Sequence, residues 1–197
     1  MSINDQKKPE MWRFRGQEVW YSTLGAALYM VLEVATNFLH IPVAPYFSLR
    51  PAVAIPLFFG LAFGPWVGLF SGLTGNIFGD LMSGYGFWPW WDLGYGLMGF
   101  LPGLIWSGMH NYRSLRQILK AEGMVVLSAG AGMGLASLSE IWVSHVTFAE
   151  TLATNFLPAF LSGLVNGLVL VPLLMIIFSE IQSRNQNPDE NEPNAIS

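Results

Sequence analysis

No cysteine occurs in the 197 residues. That excludes disulfides and thiolate metal sites, and it removes the usual clue to redox compartment. Charge is nearly as scarce: Lys, Arg, Asp and Glu make up 11% of the chain, while 52% is hydrophobic. A soluble domain carries about a quarter charged residues, so the composition is that of a polytopic membrane protein. The three histidines, His40, His110 and His145, are scattered and make no metal-ligand spacing. No GxSxG, HExxH, Walker loop or dinucleotide fingerprint is present, so no catalytic residue, metal site or cofactor is predicted. Nothing in the charge pattern points to nucleic acid.

What the chain does contain is six apolar segments, at 19–39, 50–63, 65–83, 88–110, 123–144 and 152–181. They predict an all-α membrane protein of six transmembrane helices with a short second span. At 1.5 Å per residue the first covers about 30 Å, the thickness of a hydrocarbon core. Residues 1–18 read as a polar cytoplasmic segment without a signal-cleavage site, and 182–197 as a disordered cytoplasmic tail rich in Asn, Pro and Glu. Charge fixes the orientation. With six spans and both termini inside, Lys7, Lys8, Arg13, Arg15, Arg113, Arg116, Lys120 and Arg184 all face the cytoplasm, and Arg50 alone lies outside. Fusing the second and third segments would export the 113–120 cluster and break the positive-inside rule.

This orientation gathers the polar residues of the spans at their outer ends. Ionisable groups inside a membrane normally face a cavity, a partner or a pathway, because burying charge in hydrocarbon costs several kcal/mol. Asn37 and Glu33 lie near the outer end of the first span and Arg50 opens the second. Asn76 and Asp80 close the third, where Gly64, Gly68, Gly72, Asn76 and Asp80 form one stripe at helical spacing. Asp92 follows Trp88, Trp90 and Trp91 at the start of the fourth, Glu140 ends the fifth, and Asn155 begins the sixth. Simpler roles compete: Asp80 pairing with Arg50, Asp92 meeting a helix dipole, and tryptophans forming an interfacial belt. The predicted ligand-binding set is Asn37, Tyr46, Arg50, Asn76, Asp80, Trp88, Trp91, Asp92, Glu140 and Asn155. The loop 40–49, with Tyr46 and Phe47, is expected to cover the ligand. Density of Trp and Tyr there suits a planar heterocycle.

At the inner ends, small residues recur four apart: Ser22/Ala26 and Thr23/Ala27 in the first span, Gly60/Gly64, Gly99/Gly103, Gly130/Gly134 and Gly163/Gly167 elsewhere. Such pairs let helix backbones meet in lipid. Most are expected to be contacts within the bundle; Ser22, Thr23, Ala26 and Ala27 are the candidates for docking a separate membrane subunit.

The run RPAVAIPLFFGLAFGPWVGLFSGLTGNIFGDLMSGYGFWPWWDLGYGLMGFLPGL, residues 50–104, resembles the substrate-binding S components of energy-coupling-factor (ECF) vitamin importers, with the riboflavin-type branch most similar. The shared features are an Arg-Pro opening, a Gly-Pro reversal, a glycine-striped helix ending in Asp, an aromatic loop and a Gly-rich fourth span. The resemblance implies a multi-pass protein of a prokaryotic plasma membrane that captures a vitamin-like small molecule from outside. It also implies partners, a membrane coupling (T) subunit and two ATPase subunits, and no enzymatic activity. The first span departs from the pattern in lacking an AxxxA pair. Two other readings of the residues are a ligand-free membrane scaffold and a small intramembrane enzyme using Asp80, Asp92 and Glu140.

Overall fold

The computed structural model describes residues 16–36 and 50–186, and these are helical with no strand. Six principal helices are present: α1 (Gly16–Thr36), α2 (Ala54–Phe63), α3 (Pro65–Ser83), α4 (Pro89–Gly103), α5 (Leu115–Val143) and α6 (Leu157–Gln186). A 3-10 turn at Pro51–Val53 leads into α2, and a π-helical turn at Thr151–Phe156 leads into α6. Among the described residues, three helices are long and apolar enough to cross a membrane: α1, α5 and the continuous helical run Phe148–Asn185 that includes nearly all of α6. The architecture is that of an all-α membrane protein.

The predicted third span coincides with α3, because its ends carry strong signals. Gly64 reverses the chain with φ 108°, Pro65 occupies the first helical turn, and Gly84 closes the helix with φ 77°. The predicted fourth span, in contrast, is too long. Helix α4 stops at Gly103 and gives way to a 3-10 turn at Trp106–Gly108. Pro102 brings no N–H to the ladder there, and the chain tightens around it, although the sequence stays apolar to Trp106. Helix α5 begins eight residues before the predicted span, since LRQILKAE is made of strong helix formers. The first span's last residues, 37–39, lie outside the described residues, as do 1–15, the loop 40–49 and the tail from 187.

Helix α3 is the centre of the bundle, with α1 along one side and α4 along the other. Its two buried rows explain this placement. Gly64, Gly68, Gly72, Asn76 and Asp80 form one row, and Ser71, Gly75 and Gly79 form the other. The first row meets α4 backbone to backbone: a Cβ on Gly68 would overlap the Gly99 carbonyl, and one on Gly99 would overlap that of Gly68. The second row receives α1, whose Gly25, Tyr29 and Glu33 stand four apart against Ser71, Gly75 and Gly79. Gly60 and Gly103 join the close contacts, as expected of the inner-end pairs. Gly130 and Gly134 do not; each has only the far edge of a Phe ring near it.

The short α2 is apolar around most of its circumference, and such a helix belongs in a core. Leu57 and Leu61 are fully buried, beside Tyr29, Met98, Val125, Val171 and Met175. The end of the bundle near Gly64 is filled by rings: Tyr21 stacks on Phe63 at 4.3 Å, and Phe178 meets Phe58, Phe63 and Tyr112 edge-on at 5.4–5.6 Å. At the opposite end the helices carry polar side chains and stand apart.

Candidate functional site

At that open end, Arg50 joins four elements. Its Nη1 donates to the Tyr95 hydroxyl of α4 at 2.7 Å, and the guanidinium carbon lies 5.5 Å from the centre of the same ring. Its Nη2 is 3.3 Å from Glu33 of α1 and 3.7 Å from Asp80 of α3. Its backbone N–H donates to Ser162 of α6 at 3.3 Å. Position explains this convergence: Arg50 directly precedes Pro51, so its side chain enters the bundle as α2 begins.

Behind Arg50 runs a second layer of polar contacts, centred on the fully buried Asn76. Its amide nitrogen donates to Asp80 at 2.9 Å and to Asp92 at 2.7 Å, and its oxygen accepts from the Tyr29 hydroxyl at 2.9 Å. The amide thus bridges two carboxylates that would otherwise repel one another. Asp92 reaches across to α3 instead of capping its own helix; its other oxygen has no hydrogen-bond partner among the described residues.

A cavity of about 400 Å³ opens in front of this network. Helices α3 and α4 with their loop contribute Asp80, Tyr85, Trp88, Trp91 and Tyr95; Arg50 and Val53 come from the 3-10 turn that leads into α2. Met133 and Glu140 come from α5, and Thr154, Asn155, Pro158, Ala159, Ser162 and Gly163 from the π turn and α6. Trp91 Nε1 donates to Glu140 Oε1 at 2.7 Å, and Ser144 donates to Glu140 Oε2. Trp88 is held by its Nε1 to the Tyr85 carbonyl at 2.9 Å. Wide π turns often occur at functional positions, and this one bears two of the polar lining residues. Pro158, just after it, has no N–H with which to hold the preceding turn in α-helical register.

Of the ten sequence-predicted ligand residues, the structure brings Arg50, Asp80, Trp88, Trp91, Glu140 and Asn155 to the wall of one cavity. Asn76 and Asp92 lie behind it, in the buried network. Asn37 and Tyr46 lie outside the described residues, as does the loop predicted to cover the site. Among the docking candidates, Thr23 and Ala27 are exposed on α1, Ala26 is half-buried, and Ser22 is buried within the bundle. Trp90 and Trp142 are not among the residues that line the cavity, and their rings meet edge-on at 5.6 Å. Tyr95 was absent from the predicted set, although a signal for it exists: Trp88, Trp91, Asp92 and Tyr95 follow the i, i+3, i+4, i+7 spacing of one helix face. Ser162 stands seven residues after Asn155 on the same logic.

A cavity walled by aromatic rings with a few convergent polar groups, at one end of a helical bundle, is a common form of small-molecule site. Comparison with known proteins assigns the rest of the context. Residues 14–181 match the model of the ECF-type riboflavin transporter S component family. The chain belongs to this family. It is thus a substrate-binding membrane subunit of an ECF transporter, a class of transport protein and not of enzymes. A UPF0397 protein of Vibrio atlanticus is 27% identical over 174 residues, which cover 88% of this chain and 94% of that one. The S-component match runs from before α1 to residue 181 within α6, so the cavity and the network behind it both lie inside the matched region.

Proposed function

We propose that this S component captures a vitamin-like planar heterocycle from the outer side of a prokaryotic plasma membrane and holds it in the Arg50–Glu140 cavity. The observation that carries the proposal is the cavity itself, walled by Trp88, Trp91, Tyr85 and Tyr95 and floored by polar groups that four helices supply. Charge distribution supports the orientation. Eight of the nine Lys and Arg residues fall in segments at the other end of the bundle or in the termini, and Arg50 alone stands at the cavity end. All six helices cross the bilayer in this reading, with both termini cytoplasmic. Passage of the ligand inward draws on the coupling subunit and its two ATPases in this reading, which fits a sequence without a Walker loop. The exposed Thr23 and Ala27 row of α1 offers a small-residue face for that coupling subunit.

Riboflavin is the first compound to test, since the family's description names it. Protein purified in detergent from cells grown in rich medium is expected to carry a small molecule identifiable by mass spectrometry. Added ligand should quench tryptophan emission, because two tryptophans line the cavity. A preparation that carries no small molecule, and whose emission no vitamin alters, would return the chain to the ligand-free scaffold reading.

A further inference from the structure

The charge around the cavity is unbalanced. Arg50 is the one Lys or Arg between Arg15 and Arg113, and none occurs between Lys120 and Arg184. Its guanidinium is already shared between Glu33 and Asp80, both largely buried. Glu140 has no basic partner among the described residues, yet it is only 8% exposed. Its two oxygens are met by the Trp91 indole N–H and the Ser144 hydroxyl, both neutral groups. A desolvated carboxylate without a cation is costly, and truncating or adding its partner changes that cost directly. Beside it stand the rings of Trp88 and Trp91, whose faces attract cations as well as flat apolar surfaces. An anionic ligand would find Arg50 occupied and two carboxylates on the wall.

We infer that the cavity selects a positively charged, planar nitrogen heterocycle, with the cation placed against Glu140 and the tryptophan rings. This inference rests on the ligand-capture reading above and specifies the charge of the ligand, which for riboflavin would be neutral. Glu140 then acts as the selectivity residue, and the Arg50 network as the scaffold that keeps Asp80 from competing for the cation.

The test uses two probes of one shape and different charge: N-methylacridinium, a permanent cation, and acridine, neutral at physiological pH. Both are measured by equilibrium dialysis against purified full-length protein in detergent, with empty micelles as blank. The cation is expected to bind about tenfold more tightly than acridine. Glu140→Gln should bring the ratio between the two probes close to one, and a ratio needs no assumption about the fraction of protein that is folded. Equal affinities in the wild type, or tighter binding of acridine, would overturn the charge assignment and leave the heterocycle site standing. A ratio unchanged by Glu140→Gln would overturn the role of Glu140. Binding of neither probe would overturn the inference together with the cavity's reading as a heterocycle site.

Discussion

At the scale of the residue, Arg50 is the position on which most depends. Removing its charge leaves the largely buried carboxylates of Glu33 and Asp80 without the cation between them. Arg50→Met is therefore expected to lower stability by about 3–5 kcal/mol, the usual cost of breaking a buried ion pair from one side. Thermal unfolding in detergent measures it. Adding Glu33→Gln and Asp80→Asn to the same chain should recover much of the loss; if the triple variant is no more stable than the single, the ion pairs are not the reason. The sequence made Arg50 and Asp80 visible, and even their pairing, because both fall at the outer ends of adjacent spans. Glu33 was harder to place. Its partner comes 17 residues later, and only the rotation of α1 about its own axis decides whether a carboxylate there meets a guanidinium or lipid. Tyr29 and Tyr95 were hidden for a related reason: an aromatic in an apolar helix looks like packing until its hydroxyl is given a partner.

At the scale of the element, helices were recognised where the sequence changes the backbone and blurred where it changes only side chains. Gly64–Pro65 and Gly84 fix α3 to the residue through φ values that other residues adopt with difficulty. At the end of α4, Pro102 interrupts the ladder and Gly103 seats on Pro65, the second being a tertiary contact that apolar composition cannot announce. The stripe on α3 is likewise half legible. Spacing shows that Gly68 and Gly72 share a face, but not that α4 presents its own glycine to that face. Gly68→Ala should force α3 and α4 apart and cost about 1–3 kcal/mol, as overpacking does. Gly130→Ala, made where no backbone approaches, should leave the melting temperature unchanged or slightly raised. Unfolding curves that move equally for the two would mean that the α3–α4 contact is not tight.

At the scale of the whole molecule, the absence of cysteine becomes an experimental convenience. Single cysteines at Gly86 and at His145 belong to the cavity end, and one at Asn111 belongs to the end of the Phe178 ring cluster. In intact cells a membrane-impermeant maleimide is expected to label the first two and to reach the third only after lysis. The opposite pattern would invert the orientation proposed for the bundle. Six helices were readable from hydropathy, a local property, and eight basic residues supply the direction proposed for them. Which helix lies at the centre was not, because that follows from two glycine rows being buried at once.

The two ends of α3 are joined to their neighbours by different kinds of bond. Near Gly68 and Gly99 the main chains touch, leaving no side-chain torsion through which the contact can yield. Near Asp80 the connection passes through Asn76, Asp92 and Arg50, side chains with several rotatable bonds each. Deformation should therefore concentrate at one end, as in a pair of tongs riveted at the base. The jaws of such a tool can widen by many small torsional steps while the rivet keeps its alignment, so the mouth of the cavity can change its gap without any helix leaving the bundle.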